Sequence, residues 1–379
     1  MTICVFLIGM TPQEVRVGTP AELLQAAQSA KPGTTILLEP GSYRGGILIT
    51  NLHGTKNLPI TIKGSDPKSP PVFTGGGSAL QLSKVSWLII DNLKIEKPNN
   101  NGLNIDDGGQ YTKPSHNLTL RNITVSDLPS GNNDAIKLSG IENFVVENCH
   151  LSNWGGSGID MVGCHKGIIR NSTFFQGGST GIQCKGGTSE ITIQACRFTE
   201  FGQRGVNIGG STGLEFFRPP VSSIPAGSRY EAKDITVEGC TFLKGGSPAA
   251  FVGVDSAIFR FNTIINPGRF AFRILHETST PDFIQSRNGM ITDNLIVFNS
   301  ANWSSGGINI GPNTQPKTFR FARNFWFCQD SPGMSRPSLP TEEQDGIYGV
   351  DPALLPDFSV LPSSPAKQVG AHALKRKEK

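Results

Sequence analysis

Apolar and polar residues alternate along much of this chain, and between Asn117 and Gly213 the alternation returns with a fixed period. Four blocks carry it: Asp134-Ala-Ile-Lys-Leu-Ser-Gly140, Gly158-Ile-Asp-Met-Val-Gly163, Gly181-Ile-Gln-Cys-Lys-Gly186 and Gly205-Val-Asn-Ile-Gly-Gly210. Their central polar residues, Lys137, Asp160, Gln183 and Asn207, lie 23, 23 and 24 residues apart. Apolar, polar, apolar is the signature of a strand with one buried face. A second ladder keeps the same phase: Arg121-Asn-Ile-Thr124, Glu147-Asn-Cys-His150, Arg170-Asn-Ser-Thr173 and Gln194-Ala-Cys-Arg197. A fixed period predicts stacked units that lengthen one core, in place of the two or three domains that 379 residues would otherwise suggest.

The pattern extends both ways. Gly102-Leu-Asn-Ile-Asp106 is an earlier copy, and Ala249-Ala-Phe-Val-Gly253, Phe272-Arg-Ile-Leu275 and Gly307-Ile-Asn-Ile-Gly311 are later ones, with Ala250, Arg273 and Asn309 in the polar slot. The period stretches to 43 residues between Asn207 and Ala250 and to 36 between Arg273 and Asn309, which places insertions near 211–233 and 276–289. Thr19-Pro-Ala-Glu22 reads as a capping box opening a short helix with an apolar stripe of Leu23, Leu24, Ala26, Ala27 and Ala30, ended by Pro32-Gly33. Such a helix would plug the exposed end of a stack.

A rung of about 22 to 26 residues with three short strands is too long for a hexapeptide helix and lacks the helix of a leucine-rich repeat. The expected fold is all-β: a right-handed parallel β-helix, a solenoid of about 8–11 rungs with an N-terminal capping helix. The predicted organisation is a signal remnant or capping strand over 1–18, a single β-helix domain over 19–330 and an irregular tail over 331–379. Within the domain, 19–64 form the cap and first strands and 65–330 the rungs. The apolar run Ile3–Met10 is too short to span a bilayer.

Stacked strands sit about 4.8 Å apart, so a column in the sequence becomes a row of side chains on one face. The outward row is Asn104, Lys137, Asp160, Gln183, Asn207 and Arg273, and a second row two residues on holds Asp106, Ser139, Val162 and Lys185. Together they make a polar groove of mixed sign along which an extended polymer could lie.

Composition narrows the partners. A formal net charge of +4 gives no large nucleic-acid footprint and suits an anionic ligand better than a cationic one. Seven cysteines without a CxxC spacing indicate neither a zinc site nor a disulfide lattice, and Cys149, Cys196 and Cys240 share one repeat position as small buried fillers. No metal-ligating cluster is visible in the sequence.

The opening run Ala26-Ala27, Pro32-Gly-Thr-Thr-Ile-Leu-Leu-Glu-Pro-Gly-Ser-Tyr43, Gly54-Thr55 and Pro59-Ile-Thr-Ile62 resembles that of the pectin-lyase-like superfamily. More narrowly, it is similar to the chondroitinase B and alginate lyase type of polysaccharide lyase. The closing Val350-Asp-Pro352, Asp357-Phe-Ser-Val360, Ser364-Pro365 and Gly370 resemble the ends of such bacterial proteins. The resemblance implies cleavage of an acidic, uronate-containing polysaccharide by β-elimination. A secreted or periplasmic monomer with no nucleic-acid or membrane partner is expected. In that family a lysine at the slot of Lys185, in Gly181-Ile-Gln-Cys-Lys185, is the base. The family's arginine on the next rung falls here at Ile208-Gly209, leaving Arg204 as a substitute. Its acidic Ca²⁺ ligands fall here at Gly178 and Thr180, so no cofactor is certain and Ca²⁺ stays open with its expected acidic ligands absent.

β-Elimination needs a neutralised carboxylate, a base for the α-proton and a proton for the leaving oxygen. A lysine base requires nearby cations, for which Lys137, Arg204 and Arg273 are candidates, while Asp160 opposes them. The catalytic candidates are therefore Lys185, Arg273, Asp160, Lys137 and Arg204, and the substrate-binding candidates Gln183, Asn207, Arg218, Phe216, His276 and Glu277. Three alternatives use the same face: glycoside hydrolysis through Asp134, Asp160 or Glu277, C5 epimerisation, and non-catalytic carbohydrate binding.

Overall fold

The apolar alternates pack inward and the chain coils around them. In the computed structural model, which describes residues 13–377, pairings between successive strands are parallel and carry the chain through about twelve turns. The apolar segment Ile3–Met10, read as a signal remnant or capping strand, lies outside the described residues. Within the 1–18 segment, Glu14–Val17 forms a strand that pairs in register with Thr35–Leu38.

One face is a ten-stranded sheet running from Ile47–Thr50 to Ile308–Ile310, hereafter the site sheet. The other strands form a second sheet of 22 strands that wraps the two remaining faces. Its corner explains the second ladder of the sequence. Asn122, Asn148 and Asn171 all adopt φ between 52° and 54°, a left-handed conformation that asparagine tolerates.

The interior is apolar and ordered in columns. Phe174, Phe198 and Phe242 stack face to face with centroids 4.5 and 4.7 Å apart. Beside the apolar columns runs a polar one: Asn262, Asn294 and Asn324 are fully buried, and the side-chain oxygen of each of the last two accepts the backbone N–H of the residue one turn earlier. Cys149, Cys196 and Cys240 are buried in the same column.

The helix Pro20–Ser29 has both halves of its capping box formed between Thr19 and Glu22 and buries Leu23, Ala26 and Ala27 against the first turn. At the other end Ile347–Tyr348 pairs with Phe325–Cys328, and the tail then buries Val360, Ala366 and Val369 against Leu243, Ile265 and Leu295. Among the described residues no helix is long and apolar enough to cross a membrane.

Candidate active site

The site sheet aligns the polar slots in one unbroken register: Gln81, Asn104, Lys137, Asp160, Gln183, Asn207, Ala250, Arg273 and Asn309. Both insertions loop out without shifting it. The second row, Ser83, Asp106, Ser139, Val162 and Lys185, is equally aligned.

The charged centre of this face is more buried than a groove floor of exposed side chains would be. Lys137 Nζ lies 3.1 Å from Asp134 Oδ2 and 2.8 Å from Asp160 Oδ2, and the two carboxylates are 0% and 1% exposed. Asp134 is fixed from both sides, its Oδ1 accepting the N–H of Ser157 and its own N–H donating to Asn101 Oδ1, each at 2.8 Å. Burial and the neighbouring Asp160 raise the Asp134 carboxyl above the usual range, with Lys137 pulling the other way. For Lys137, burial pushes the amine down but the two carboxylates outweigh it and raise it, so the lysine stays protonated. Lys137 is thus a fixed cation and not a base.

Lys185 stands on the next rung. Its Nζ is 3.4 Å from Asp160 Oδ1, and that oxygen is buried with no hydrogen-bond partner. The expected cation-crowded lysine is not what the fold builds, because the charge facing the Lys185 amine is a carboxylate.

These residues line a cleft of about 910 Å³. Its floor runs from Gln81 and Ser83 to Lys185, and Asn100, Asn101 and Asn132 edge one side. The other side is built by Tyr111 and by the insertion after Asn207, which folds back over the turns following the site strands. Arg218 latches it: its Nε and Nη2 donate to the buried Asp107 at 2.7 and 3.0 Å, and its guanidinium lies 4.5 Å from the Tyr111 ring centroid. The arm occupies a trough of glycines. A Cβ on Gly163, which has φ of 60°, would stand 2.4 Å from the Arg218 Cβ. Arg218 is therefore committed to the wall and not free to bind substrate. Phe216 is half exposed at the cleft rim, while Phe217 is buried against Phe283 and plugs the base of the insertion.

The remaining candidates do not join this centre. Arg204 sits at the far end of its strand, bound to Asn207 Oδ1 at 2.8 Å and paired with Glu277. Asn207 is buried, and Gln183 donates to the carbonyl of Gly209 at 3.3 Å. Arg273 lies three rungs beyond Lys185, roughly 14 Å away at about 4.8 Å per rung, with its Nε donating to Asn309 Oδ1 at 3.0 Å. Burial lowers the His276 imidazole, the nearby Glu231 opposes that shift, and the His276 Nδ1 has no partner. Where the family's Ca²⁺ ligands were expected, Gly178 packs on the backbone of Trp154 and Gly155, and Thr180 is buried with its carbonyl bound to Trp154 Nε1. This donor set does not fit Ca²⁺. Among the described residues no group of three or more His, Cys, Asp or Glu side chains could hold a metal ion.

Sequence reasoning missed Asp107, Tyr111, Asn101 and Glu231. For Asp107 the run Asp106-Asp-Gly-Gly109 after the first strand copy was the available signal, since Asp before glycine marks a turn.

The sequence profile of the family described as "Right handed beta helix region" matches residues 78–232. Structural likeness reaches further. An alginate lyase from Paenibacillus sp. str. FPU-7 superposes with a TM-score of 0.57 at 15% identity, over 79% of this chain and 100% of that one. The A-module of a mannuronan C-5 epimerase from Azotobacter vinelandii gives 0.52 at 14% identity, over 86% and 90%. A PL6 family alginate lyase gives 0.51 at 16% identity, over 94% of this chain but 56% of that longer one. No curated protein matches the sequence. The chain folds as a right-handed parallel β-helix. At these identities the likeness is one of fold, so function has to be argued from the cleft.

Proposed function

We propose that the cleft binds an extended uronate-containing polysaccharide and cleaves it by β-elimination with Lys185 as the base. The observation that carries this reading is the pairing of an accessible amine, Lys185, with a buried carboxylate oxygen on Asp160 that lacks any other hydrogen-bond partner. Asp160 orients the amine toward the cleft, and Lys185 acts from its neutral form after its proton has passed to solvent. Lys137 has three N–H donors and spends two on Asp134 and Asp160, so the third is available to a substrate carboxylate. In the reaction Lys185 takes the proton α to that carboxylate, the C–H electrons become the C4–C5 double bond, and the C4–O pair leaves with the oxygen, which water protonates.

Hydrolysis fits less well. Two carboxylates would have to flank the scissile bond, yet Asp134 is fully buried and shares one lysine with Asp160. The superposable proteins include alginate lyases, an epimerase and a lacto-N-biosidase from Eubacterium ramulus, so the choice of elimination rests on the cleft and not on the fold.

The test is an incubation with alginate, polygalacturonate and glycosaminoglycans followed by the ultraviolet absorbance of unsaturated uronate. Lys185→Ala should lower turnover by at least about 100-fold, the usual contribution of a positioned base. Reducing ends without the chromophore would instead mean hydrolysis, and a graded loss of affinity with no turnover in either protein would mean a binding module.

A further inference from the structure

The cleft is open along its floor at one end and shut at the other. Toward the first rungs it passes Gln81 and Ser78, and the next residue in the column, Leu48, is 51% exposed, so that end runs out onto open surface. Past Lys185 the chain itself closes the face. After the strand Arg204–Gly209 the backbone turns so close over the preceding rung that a Cβ on Gly210 would stand 2.7 Å from Gln183 Nε2. Ser211, Thr212 and Gly213 then line the end of the cleft beside Lys185.

This wall is tied down. The Thr212 N–H and hydroxyl donate to Glu231 at 2.9 and 2.7 Å, and the same buried carboxylate accepts the N–H of Gly186, next to Lys185, at 3.0 Å. Behind the wall the outward column turns apolar at Ala250, which is buried with Val252 and Leu275. The Arg204–Glu277 pair links the strand Arg204–Gly209 to the end of the strand Phe272–Leu275, two rungs on, across the rung of Ala250. The two insertions also bond to each other, Gly227 N–H to the Asp282 carbonyl at 2.9 Å and Ile284 N–H to that of Arg229 at 2.8 Å.

We infer that this site recognises the end of a polysaccharide chain: the terminus abuts Ser211–Gly213, Lys185 acts at the last rung of the cleft floor, and the rest of the chain leaves over Asp160, Lys137, Asn104 and Gln81. The inference rests on the polysaccharide reading above and adds its mode. The cleft floor from Gln81 to Lys185 spans four rung spacings, roughly 19 Å at about 4.8 Å each, and none of it lies beyond the amine. A polymer cannot thread past the wall, so attack releases short products from a terminus.

Stoichiometry separates the two levels of the argument. Lys185→Ala protein, expected to bind without turnover, is titrated calorimetrically with alginate, polygalacturonate and glycosaminoglycan chains of increasing length. End recognition holds the ratio at one protein per chain at every length. A ratio that grows with chain length overturns the inference while leaving the polysaccharide reading intact, and absence of binding to all three polymers removes both. With wild-type protein, low-mass products should accumulate early while the polymer's mass distribution barely moves. Early fragments of intermediate size would show an open groove and refute the closed end.

Discussion

Replacing Lys137 by Met should expose the energetics of the charged centre. The substitution keeps most of the side-chain volume but removes the one cation that touches both Asp134 and Asp160, which are 0% and 1% exposed. Breaking a buried pair by deleting one partner costs about 3–5 kcal/mol, because a charge is left without compensation. The cost depends on pH with a definite sign. Without Lys137 the Asp134 carboxyl, already raised by burial and Asp160, loses the cation that holds it down and moves further above the unfolded value of about 3.9. The penalty is then full above its folded value and is relieved as pH falls toward the unfolded one, as the group binds a proton. In the native protein Asp134 already leans this way, since burial and Asp160 raise it against the pull of Lys137. Lys137 is raised as well, so its stabilising charge is complete below the ordinary lysine range and is lost only at higher pH. Denaturant unfolding of both proteins at about pH 5 and about pH 8 should give a smaller difference at the acid value. A difference below about 1 kcal/mol at the higher pH, the size of an exposed pair, would refute the claim that these carboxylates are desolvated.

Further substitutions probe the surroundings of that centre. Arg218→Ala leaves Asp107 without its bidentate partner, and the amides of 211–218 should exchange with solvent faster while those of the site strands keep their protection; equal exchange would mean that the latch is dispensable. Asn294→Ala removes the acceptor of the Asn262 N–H and the donor to the Phe259 carbonyl, both buried. It should cost at least about 2 kcal/mol in thermal or denaturant unfolding, since each orphaned group is worth about 1–3 kcal/mol. Arg273→Ala should change kcat/KM by less than about twofold, because Arg273 lies three rungs past Lys185 and behind the wall; a large loss would place the reacting centre elsewhere on the sheet.

What could be read in advance follows from how a stacked fold stores information. Each rung is constrained by its neighbours through backbone spacing, so a column of residues 23 or 24 apart translates directly into contact, and the Lys137–Asp160 pair is one such step. Even the lengthened rungs obeyed the rule, since Ala250, Arg273 and Asn309 stand where the alternation assigned them. The capping helix was legible for a different reason, because its box and stripe are local. Burial of the polar slots was not legible. The alternation assigns Asp160 and Asn207 to the outward face, but it does not say what covers that face. The cover comes from segments with no copy elsewhere in the chain: Arg218 meets Asp107 across 111 residues and Arg204 meets Glu277 across 73. Neither separation is a multiple of anything the repeat specifies. The insertions therefore decide which part of a periodic face becomes a site, and they turn a groove that the repeat alone would leave open along ten strands into a cleft that ends beside Lys185.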